Sequence, residues 1–325
     1  MFRSFLKCLA VASACTLAAT PLALAQSYPT KSIRLICPFP PGGAVDIASR
    51  AIANELSKTI GQQVVVENKP GAGGNIGGAE AARAAPDGYT IFMTTSGISA
   101  INPALYSKMP FDPNKDLAPV SALVSLNNVL VVHPSVAAKS VTEIIAMAKA
   151  QPGKMTYASS GSGTSIHMSG EMFKHLAKVD ILHIPYKGSS PALTDMLGGQ
   201  VMMMFDNIPS ALPHIKSGKL RALATTGAKR DATLPDLPTI AEAGVPGYES
   251  GVWFGLLVPA GTPRDIVAKL NAEAVKGTKS PEFVKRMTDL GYNIIGSTPE
   301  QMTEMLKTEV NTWGPIVKAS GAKAD

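Results

Sequence analysis

The segment Cys37–Arg50, CPFPPGGAVDIASR, joins an apolar run to a stretch with helical periodicity. The run before it, SIRLIC, predicts a β-strand. After Val45 apolar residues recur about every four positions up to Leu56, and Gly61 follows as a stop signal, so this stretch predicts a helix. The prolines and glycines between the two elements therefore form a loop that leads from a strand into a helix.

The same order of elements recurs along the chain. QVVVEN and TIFMTT predict the next two strands, and GAGGNIGGAEAARAA between them predicts a glycine loop with a short helix. Strands that alternate with helices are typical of βαβ units, so we expect an α/β fold with mostly parallel sheets. Later strand patterns are MTYASS, DILHIPY, VMMMFD and LRALATTG.

Two long apolar stretches predict how the chain is divided. LAPVSALVSLNNVLVVH and GVWFGLLVPAG are interpreted as connections between two α/β units. We expect lobe 1 to comprise residues 26–126 and 250–325, and lobe 2, inserted into it, to comprise residues 127–249. Two units joined by two crossings predict a clam-shell with a cleft between the lobes.

Several helix starts are marked by capping residues. Ser140 and Glu143 form a capping box in front of VTEIIAMAKA. After the second crossing, proline at the first helical position marks three more helices. Their starts are Thr262-Pro263, Ser280-Pro281 and Thr298-Pro299, the last with Gln301 as capping-box partner.

Residues 1–25 have the pattern of a signal peptide. Arg3 and Lys7 form a basic start, LAVASACTLAAT forms a short apolar region, and ALA precedes a mature terminus at Gln26. An uncleaved anchor is the alternative, although the apolar run is shorter than the roughly 20 residues that span a bilayer. We therefore expect export and a periplasmic location.

Composition narrows the classes of function. The chain has 325 residues, 17% of them charged, and a formal charge of +6 that falls to +4 with the signal peptide removed. This is a globular composition, and no run of Lys or Arg indicates binding to nucleic acid. Cys37 is the single cysteine of the mature chain, so no intrachain disulfide is expected.

The loop Phe39–Ala44 is predicted to bind an anion. Ligands of open parallel sheets lie beyond the carboxyl ends of the strands, and a helix N-terminus offers free N–H groups with about half a positive charge. Gly42 and Gly43 let the backbone approach a ligand, and the prolines before them stiffen the loop. Asp46, in the first turn, is expected to favour the helix dipole more than to contact an anion.

Two further loops stand at equivalent strand ends. SSGSGTSIH, Ser159–His167, has two glycines and several hydroxyls, and MTTSG contributes Thr95 and Ser96. Any one of these loops alone is more simply explained by turn and capping chemistry. Several at equivalent strand ends favour a site that clamps an acid between the lobes.

Two titratable residues are candidates for the same site. His167 lies nearest the second loop and is expected in the site or just behind it, on a helix stripe with Glu171 and Lys174 that usually faces solvent. Asp206 follows VMMMFD at a strand end. A carboxylate there suits an amine, a hydroxyl or a protonated group of a ligand, or repels a third carboxylate.

Motifs for other chemistries are absent from the sequence. GAGGNIGG has Ile76 in place of the third glycine of the dinucleotide-binding fingerprint, and it follows the second strand rather than the first. There is no G-x-S-x-G elbow, and no two histidines have the i, i+4 spacing of metal ligands. We expect no cofactor, no metal and no catalysis.

The chain resembles the tripartite tricarboxylate transporter receptor family, the TctC-like or Bug-type periplasmic solute-binding proteins. The resemblance covers essentially the whole mature chain. It rests on YPTKSIRLICPFPPGGAVDIASR, ENKPGAGGNIGGAEAARAAPDGYT, HIPYKGSSPALTDMLGGQV, LRALATTGAKR, LPDLPTIAEAGVPGYE and FGLLVPAGTP. This family commonly has a small or branched apolar residue where Cys37 stands, a departure expected to affect packing.

The resemblance implies a type II periplasmic-binding-protein fold, a Venus flytrap that closes on a small carboxylic acid such as a di- or tricarboxylate. In such proteins loops of the first lobe, here around Phe39–Ala44 and Gly73–Asn75, hold one carboxylate, while side chains of the second lobe select the ligand. The predicted ligand-binding residues are Phe39, Pro40, Gly42, Gly43, Ala44, Asp46, Gly74, Asn75, Thr95, Ser96, Ser160, Gly161, Thr164, His167, Tyr186, Lys187 and Asp206.

The resemblance also implies delivery of the acid to the membrane permease subunits of a tripartite tricarboxylate-type transporter. We expect a monomer that releases its ligand to that permease. One alternative is a ligand-sensing subunit for a signalling receptor, whose sequence would look the same. A carboxylate-processing enzyme is the second alternative, but it would need a nucleophile or base with a partner, which the sequence does not show.

Overall fold

A computed structural model describes residues 28–320 and residue 324. The predicted signal peptide, residues 1–25, lies outside the described residues. Within the described part of the chain, none of the helices combines the length and the apolar character needed to cross a membrane.

The described residues form ten strands, and most of them lie where the sequence predicts. The strands are β1 Ile33–Cys37, β2 Val64–Asn68, β3 Thr90–Thr95, β4 Leu117–Val132, β5 Thr156–Ser159, β6 Leu182–Pro185, β7 Met203–Asn207, β8 Arg221–Thr225, β9 Gly251–Pro259 and β10 Tyr292–Ile294. The short strand β10 was not predicted.

Ten α-helices accompany these strands in the described part of the chain. They are α1 Ala44–Ile60, α2 Asn75–Ala82, α3 Asn102–Leu105, α4 Val141–Ala150, α5 Ser165–Ala177, α6 Ser189–Leu197, α7 Ile208–Lys216, α8 Arg264–Thr278, α9 Pro281–Asp289 and α10 Pro299–Ser320. A 3₁₀ turn, Ala72–Gly74, precedes α2, and a π-helical turn, Gly97–Ile101, precedes α3.

The strands form one continuous sheet in the order β2-β1-β3-β9-β4-β7-β5-β6, with β8 and β10 also paired to β4. The outer strands are parallel, as predicted: β1 pairs with β2 and β3, and β5 pairs with β6 and β7. All pairs that involve β4 or β9 are antiparallel. The sheet is therefore mixed, because the two strands that carry the chain between its halves run in opposite directions.

Strand β4 belongs to both halves of the molecule. Its residues 117–127 pair with β9, and its residues 128–132 pair with β7 and β8. One apolar core lies on the β1–β3 and β9 side and includes Ile36 and Leu257, while separate cores around Phe205 and Met204 lie on the other side. The predicted lobe limits fall within β4 and just before β9. They stay a prediction, which the separate apolar cores support.

Local signals account for most helix ends. Gly61 ends α1 in the left-handed region with φ 76°, and the Ser140 hydroxyl accepts a hydrogen bond from the Glu143 N–H at the start of α4. The Thr298–Gln301 capping box is present in both directions. The Thr262 hydroxyl instead donates to the Pro259 carbonyl, so α8 begins without a side-chain cap.

Candidate functional site: an interlobe cavity at four helix N-termini

A cavity lies between the two lobes at the carboxyl ends of the parallel strands. The cavity has a volume of about 370 Å³, part of which is open to solvent. Residues of both lobes line this space, so an acid bound there would contact both lobes. The lining residues are Phe39, Gly43, Ala44, Val45, Thr95, Ser160, Thr164, Ser165, Ser189, Asn207, Val252 and Phe254.

Four helices begin at the wall of this cavity. Ala44 opens α1 and Ser165 opens α5, while Ser189 opens α6 and Asn207 immediately precedes α7. The first N–H groups of each helix have no partner within the helix and carry a partial positive charge. None of the lining side chains named above is charged. Attraction for an anion therefore comes from backbone dipoles and hydroxyls rather than from Lys or Arg.

The first-lobe loop is held in place by Asp46. The Gly42 N–H, the Arg50 guanidinium and the Asn68 amide all donate hydrogen bonds to its carboxylate, at 3.0, 3.0 and 2.8 Å. Burial alone would raise the pKa of Asp46, but these hydrogen bonds hold it below its usual value. Asp46 does not line the cavity, and its charge is paired with Arg50. It shapes the loop rather than the ligand contact.

Strand β10 anchors the start of α1. The Tyr292 hydroxyl donates to the Ala44 carbonyl at 2.6 Å, and Tyr292 is buried. This bond connects the cavity wall to a strand that is remote in sequence. The position of the α1 N-terminus therefore depends on a contact that the local sequence does not reveal.

The second-lobe loop is fixed by its own side chains. The Gly161 N–H donates to the Ser159 hydroxyl, and the Thr164 hydroxyl donates to the Gly161 carbonyl at 2.7 Å. The Thr164 oxygen also accepts from the His167 N–H and so caps α5. The Gly163 N–H donates to the Nδ1 atom of His167 at 3.2 Å. These bonds fix the loop that contributes Ser160, Thr164 and Ser165 to the cavity wall.

Two stacked histidines lie behind this loop. The rings of His167 and His183 are 4.1 Å apart, and the Nε2 atom of His183 is 2.6 Å from the Ser159 hydroxyl. Burial lowers the pKa of His167 to about 4 and that of His183 to about 3. Both imidazoles are neutral at neutral pH. His167 is only 4% exposed, so the expected solvent-facing stripe does not include it.

Asp206 lies one hydrogen bond behind the cavity wall. Its carboxylate accepts from the Ser189 hydroxyl at 2.5 Å and from the Ser210 hydroxyl at 2.7 Å. Burial raises the pKa of Asp206 to about 6, against the lowering effect of these bonds. Next to it, the Asn207 side-chain amide donates to the side-chain oxygen of Asn128 at 2.6 Å.

One wall of the cavity is apolar. Val252 and Phe254 occupy alternate positions of β9 and so project from the same face of the sheet. Phe39 and Val45 complete this wall from the β1–α1 segment. An aliphatic or aromatic carbon skeleton fits against it, while polar groups of a ligand would meet the helix N-termini.

Direct contacts hold the lobes against each other around the cavity. The Ser190 hydroxyl donates to the Pro41 carbonyl at 2.7 Å, and the Tyr106 hydroxyl donates to the Ser162 carbonyl at 3.1 Å. A methyl group added at Gly163 would overlap the side-chain oxygen of Asn102. Glycine at this position therefore permits the close approach of the two lobes.

The matches to known proteins assign the chain to a family. Residues 48–322 match the family described as tripartite tricarboxylate transporter family receptor. The chain belongs to this family. The periplasmic binding protein BugD is 36% identical to this receptor, covers 92% of this chain and 100% of its own, and superposes with a TM-score of 0.88.

Two similar structures contain small acids. The R. palustris protein Rpa4515, solved with adipate, is 38% identical over 91% of this receptor and 99% of its own chain, with a TM-score of 0.89. MatC of Rhodopseudomonas palustris, with bound malate, is 33% identical over 89% of this receptor and 100% of its own chain, with a TM-score of 0.86. The predicted family and periplasmic-binding-protein fold are confirmed. These relatives are solute-binding proteins, not enzymes.

The receptor's predicted site residues fall into three groups. Six line the cavity: Phe39, Gly43, Ala44, Thr95, Ser160 and Thr164. Seven lie next to lining residues in the same loops and strand ends: Pro40, Gly42, Asp46, Ser96, Gly161, His167 and Asp206. Four lie outside the lining: Gly74, Asn75, Tyr186 and Lys187.

The last group has other contacts. The amide of Asn102 donates to the Asn75 side-chain oxygen at 2.7 Å, and a methyl group on Gly74 would overlap Ile98. The Tyr186 hydroxyl donates to Asp195, and Lys187 is exposed. Contact with a ligand stays a prediction for all seventeen residues.

Five lining residues lie outside the predicted residues and loops: Val45, Ser189, Asn207, Val252 and Phe254. A sixth, Ser165, lies within the predicted loop Ser159–His167 but was not among the predicted ligand-binding residues. The sequence does mark Ser189, because its segment joins a strand to a helix, as the loops Phe39–Ala44 and Ser159–His167 do. Asn207 was missed together with helix α7. The sequence does not mark Val252 and Phe254, because an apolar strand residue that faces a cavity cannot be distinguished in sequence from one that faces a core. Among the described residues, no group of three or more His, Cys, Asp and Glu could hold a metal.

Proposed function

We propose that this receptor captures a small carboxylic acid in the periplasm and delivers it to the membrane permease subunits of a tripartite tricarboxylate-type transporter. The observation that carries the proposal is the convergence of four helix N-termini, from both lobes, on one cavity, where those of α1 and α5 have no unpaired carboxylate beside them among the described residues. A carboxylate accepts hydrogen bonds from free N–H groups and is stabilised by their partial positive charge. Adipate and malate in the two related structures support the same class of ligand.

Both lobes supply walls of the cavity, so an acid bound there bridges them. Ligand contacts with both lobes favour the closed arrangement over an open one, and the permease then recognises the closed receptor. No step of this cycle breaks or forms a covalent bond. Export through the signal peptide, residues 1–25, would place the receptor in the periplasm. There it would act as a monomer.

Thermal unfolding of the exported protein with a panel of acids tests ligand capture. The panel contains mono-, di- and tricarboxylates, aromatic acids, amino acids and neutral sugars. An acid at 100 times its dissociation constant adds about 2.7 kcal/mol of stability, which raises the melting temperature by roughly 2–4 °C for a chain of this size. We expect a shift with one class of acid, no turnover of that acid, and no shift with sugars. A protein that is free of retained ligand by native mass spectrometry and shifts with no acid would refute the proposal.

Delivery needs a separate measurement. Membrane vesicles that contain the permease subunits are expected to accumulate the labelled acid only when the loaded receptor is added. Binding without receptor-dependent uptake would leave capture intact and refute the transport role. N-terminal sequencing of the periplasmic fraction, with Gln26 expected as the first residue, tests export.

A further inference from the structure

Ser189 presents an acceptor, not a donor, to the cavity. A hydroxyl has one proton, and the Ser189 proton is directed to Asp206 across 2.5 Å. Ser189 also lines the cavity, so its oxygen offers lone pairs, not a proton, to any ligand group that reaches it. A ligand group that meets this oxygen must therefore donate a hydrogen bond.

Asp206 fixes this orientation. Its carboxylate is buried with 0% exposure, and its hydrogen-bond donors are the hydroxyls of Ser189 and Ser210 and the N–H of Asn207. None of these donors is a cation. An ionised carboxylate has no proton to give back, so Ser189 cannot rotate its own proton toward a ligand without leaving the carboxylate unpaired.

The balance of charge distinguishes this part of the cavity from the rest. Helices α6 and α7 begin beside Asp206, and two helix N-termini together carry about one positive charge, which offsets the one negative charge of the carboxylate. The N-termini of α1 and α5 have no such offset, because the charge of Asp46 is already paired with Arg50. A carboxylate is therefore favoured at α1 and α5, and a neutral or cationic donor is favoured at Ser189.

We propose, on the basis of the proposed function, that the ligand is an organic acid with a hydroxyl or ammonium substituent, and that this substituent donates to the Ser189 oxygen. Ser189 determines the specificity, and Asp206 is the positioning residue behind it. An unsubstituted acid would leave the Ser189 oxygen without a partner in a closed cavity. This loss costs roughly tenfold or more in affinity.

Matched sets of acids test the inference by isothermal titration calorimetry of the full-length exported protein. Each set has one carbon skeleton of four to six carbons with two terminal carboxylates, and its 2-position carries hydrogen, hydroxyl or ammonium. We expect at least one substituted acid to bind at least about tenfold more tightly than its unsubstituted counterpart. The hydroxyl and ammonium arms identify which donor the site takes.

Three variants locate the effect. Ser189→Ala is expected to reduce the affinity ratio of substituted to unsubstituted acid to about 1–2, and Asp206→Asn to reduce it most for the ammonium acid, because the negative charge is lost. Ser190→Ala is the matched control: its hydroxyl bonds Pro41 across the lobes, so its loss weakens all acids alike and preserves the ratio.

The outcomes separate the two proposals. If the unsubstituted acids bind as tightly as the substituted ones, or if Ser189→Ala keeps the wild-type ratio, the inference is wrong while acid capture stands. If no acid of any set binds, capture of such acids fails, and the inference that rests on it fails too.

Discussion

Acidification should destabilise this receptor through two stacked histidines, and His167 is the one that a single variant can test. His167 is 4% exposed, stacks on His183, and accepts the Gly163 N–H through Nδ1. Burial holds its pKa at about 4, below the ordinary value of 6.5. Protonation therefore has to charge a ring inside the protein and to break the hydrogen bond that supports the second-lobe loop.

The sign follows from the depressed pKa. Between pH 6.5 and 4 the unfolded chain binds this proton more readily than the folded one, so stability that is present above pH 6.5 is lost as the pH falls toward 4. The shift corresponds to about 3 kcal/mol for His167. His183 adds a loss in the same direction, because burial and the neighbouring His167 lower its pKa to about 3. Asp206 acts in the opposite direction, since its raised pKa of about 6 favours the folded protein as the pH falls.

Urea unfolding at pH 7 and pH 4 isolates the contribution of His167. The variant His167→Gln keeps an acceptor for Gly163 but cannot be protonated. We expect the wild type to lose about 3 kcal/mol of unfolding free energy relative to this variant between pH 7 and pH 4. His175→Gln, an exposed position on the same helix, is the control and should behave like wild type. A difference that does not depend on pH would refute the reasoning.

Three substitutions test the cavity itself. Valine fits the extended backbone of Gly43, φ −79°, so Gly43→Val should leave the fold intact. Its methyl groups would enter the cavity, and the acid affinity measured by calorimetry should fall at least about tenfold. Unchanged affinity would show that the first loop is not part of the site. Gly163→Ala should prevent closure of the lobes, because its methyl group overlaps Asn102, and should abolish the acid-induced melting shift. The control Gly218→Ala, also at positive φ but in open space, should preserve the shift. Equal melting shifts in the two variants would show that Gly163 is not needed for closure. Thr164→Ala removes the cap of α5 and should lower the unfolding free energy by about 1 kcal/mol, and a stability equal to wild type would show that the cap contributes nothing.

The order of strands and helices could be predicted because local signals dominate it. The β1 and β3 strands, the stop at Gly61 and the Thr298–Gln301 box all lie where periodicity and capping residues indicate. The direction of β4 and β9 could not be predicted in this way, because pairing between strands distant in sequence leaves no local pattern. Strand β10 is too short to produce a pattern of its own.

The site was predictable only where glycine or hydroxyl residues follow a strand. That rule located the Phe39–Ala44 loop and the Ser160 and Thr164 hydroxyls. It could not show that Asp46 is turned away toward Arg50, because this depends on Asn68 from a neighbouring strand. Nor could it show which apolar residues of β9 face a cavity instead of a core.

A crystal structure of the receptor with the acid that gives the largest melting shift tests whether the acid binds in the interlobe cavity. We expect one acid molecule between the lobes, with a carboxylate that accepts hydrogen bonds from the first N–H groups of α1 and α5 and a carbon skeleton against Phe254. An acid bound on the outer surface of either lobe, with the interlobe cavity holding only water, would contradict it.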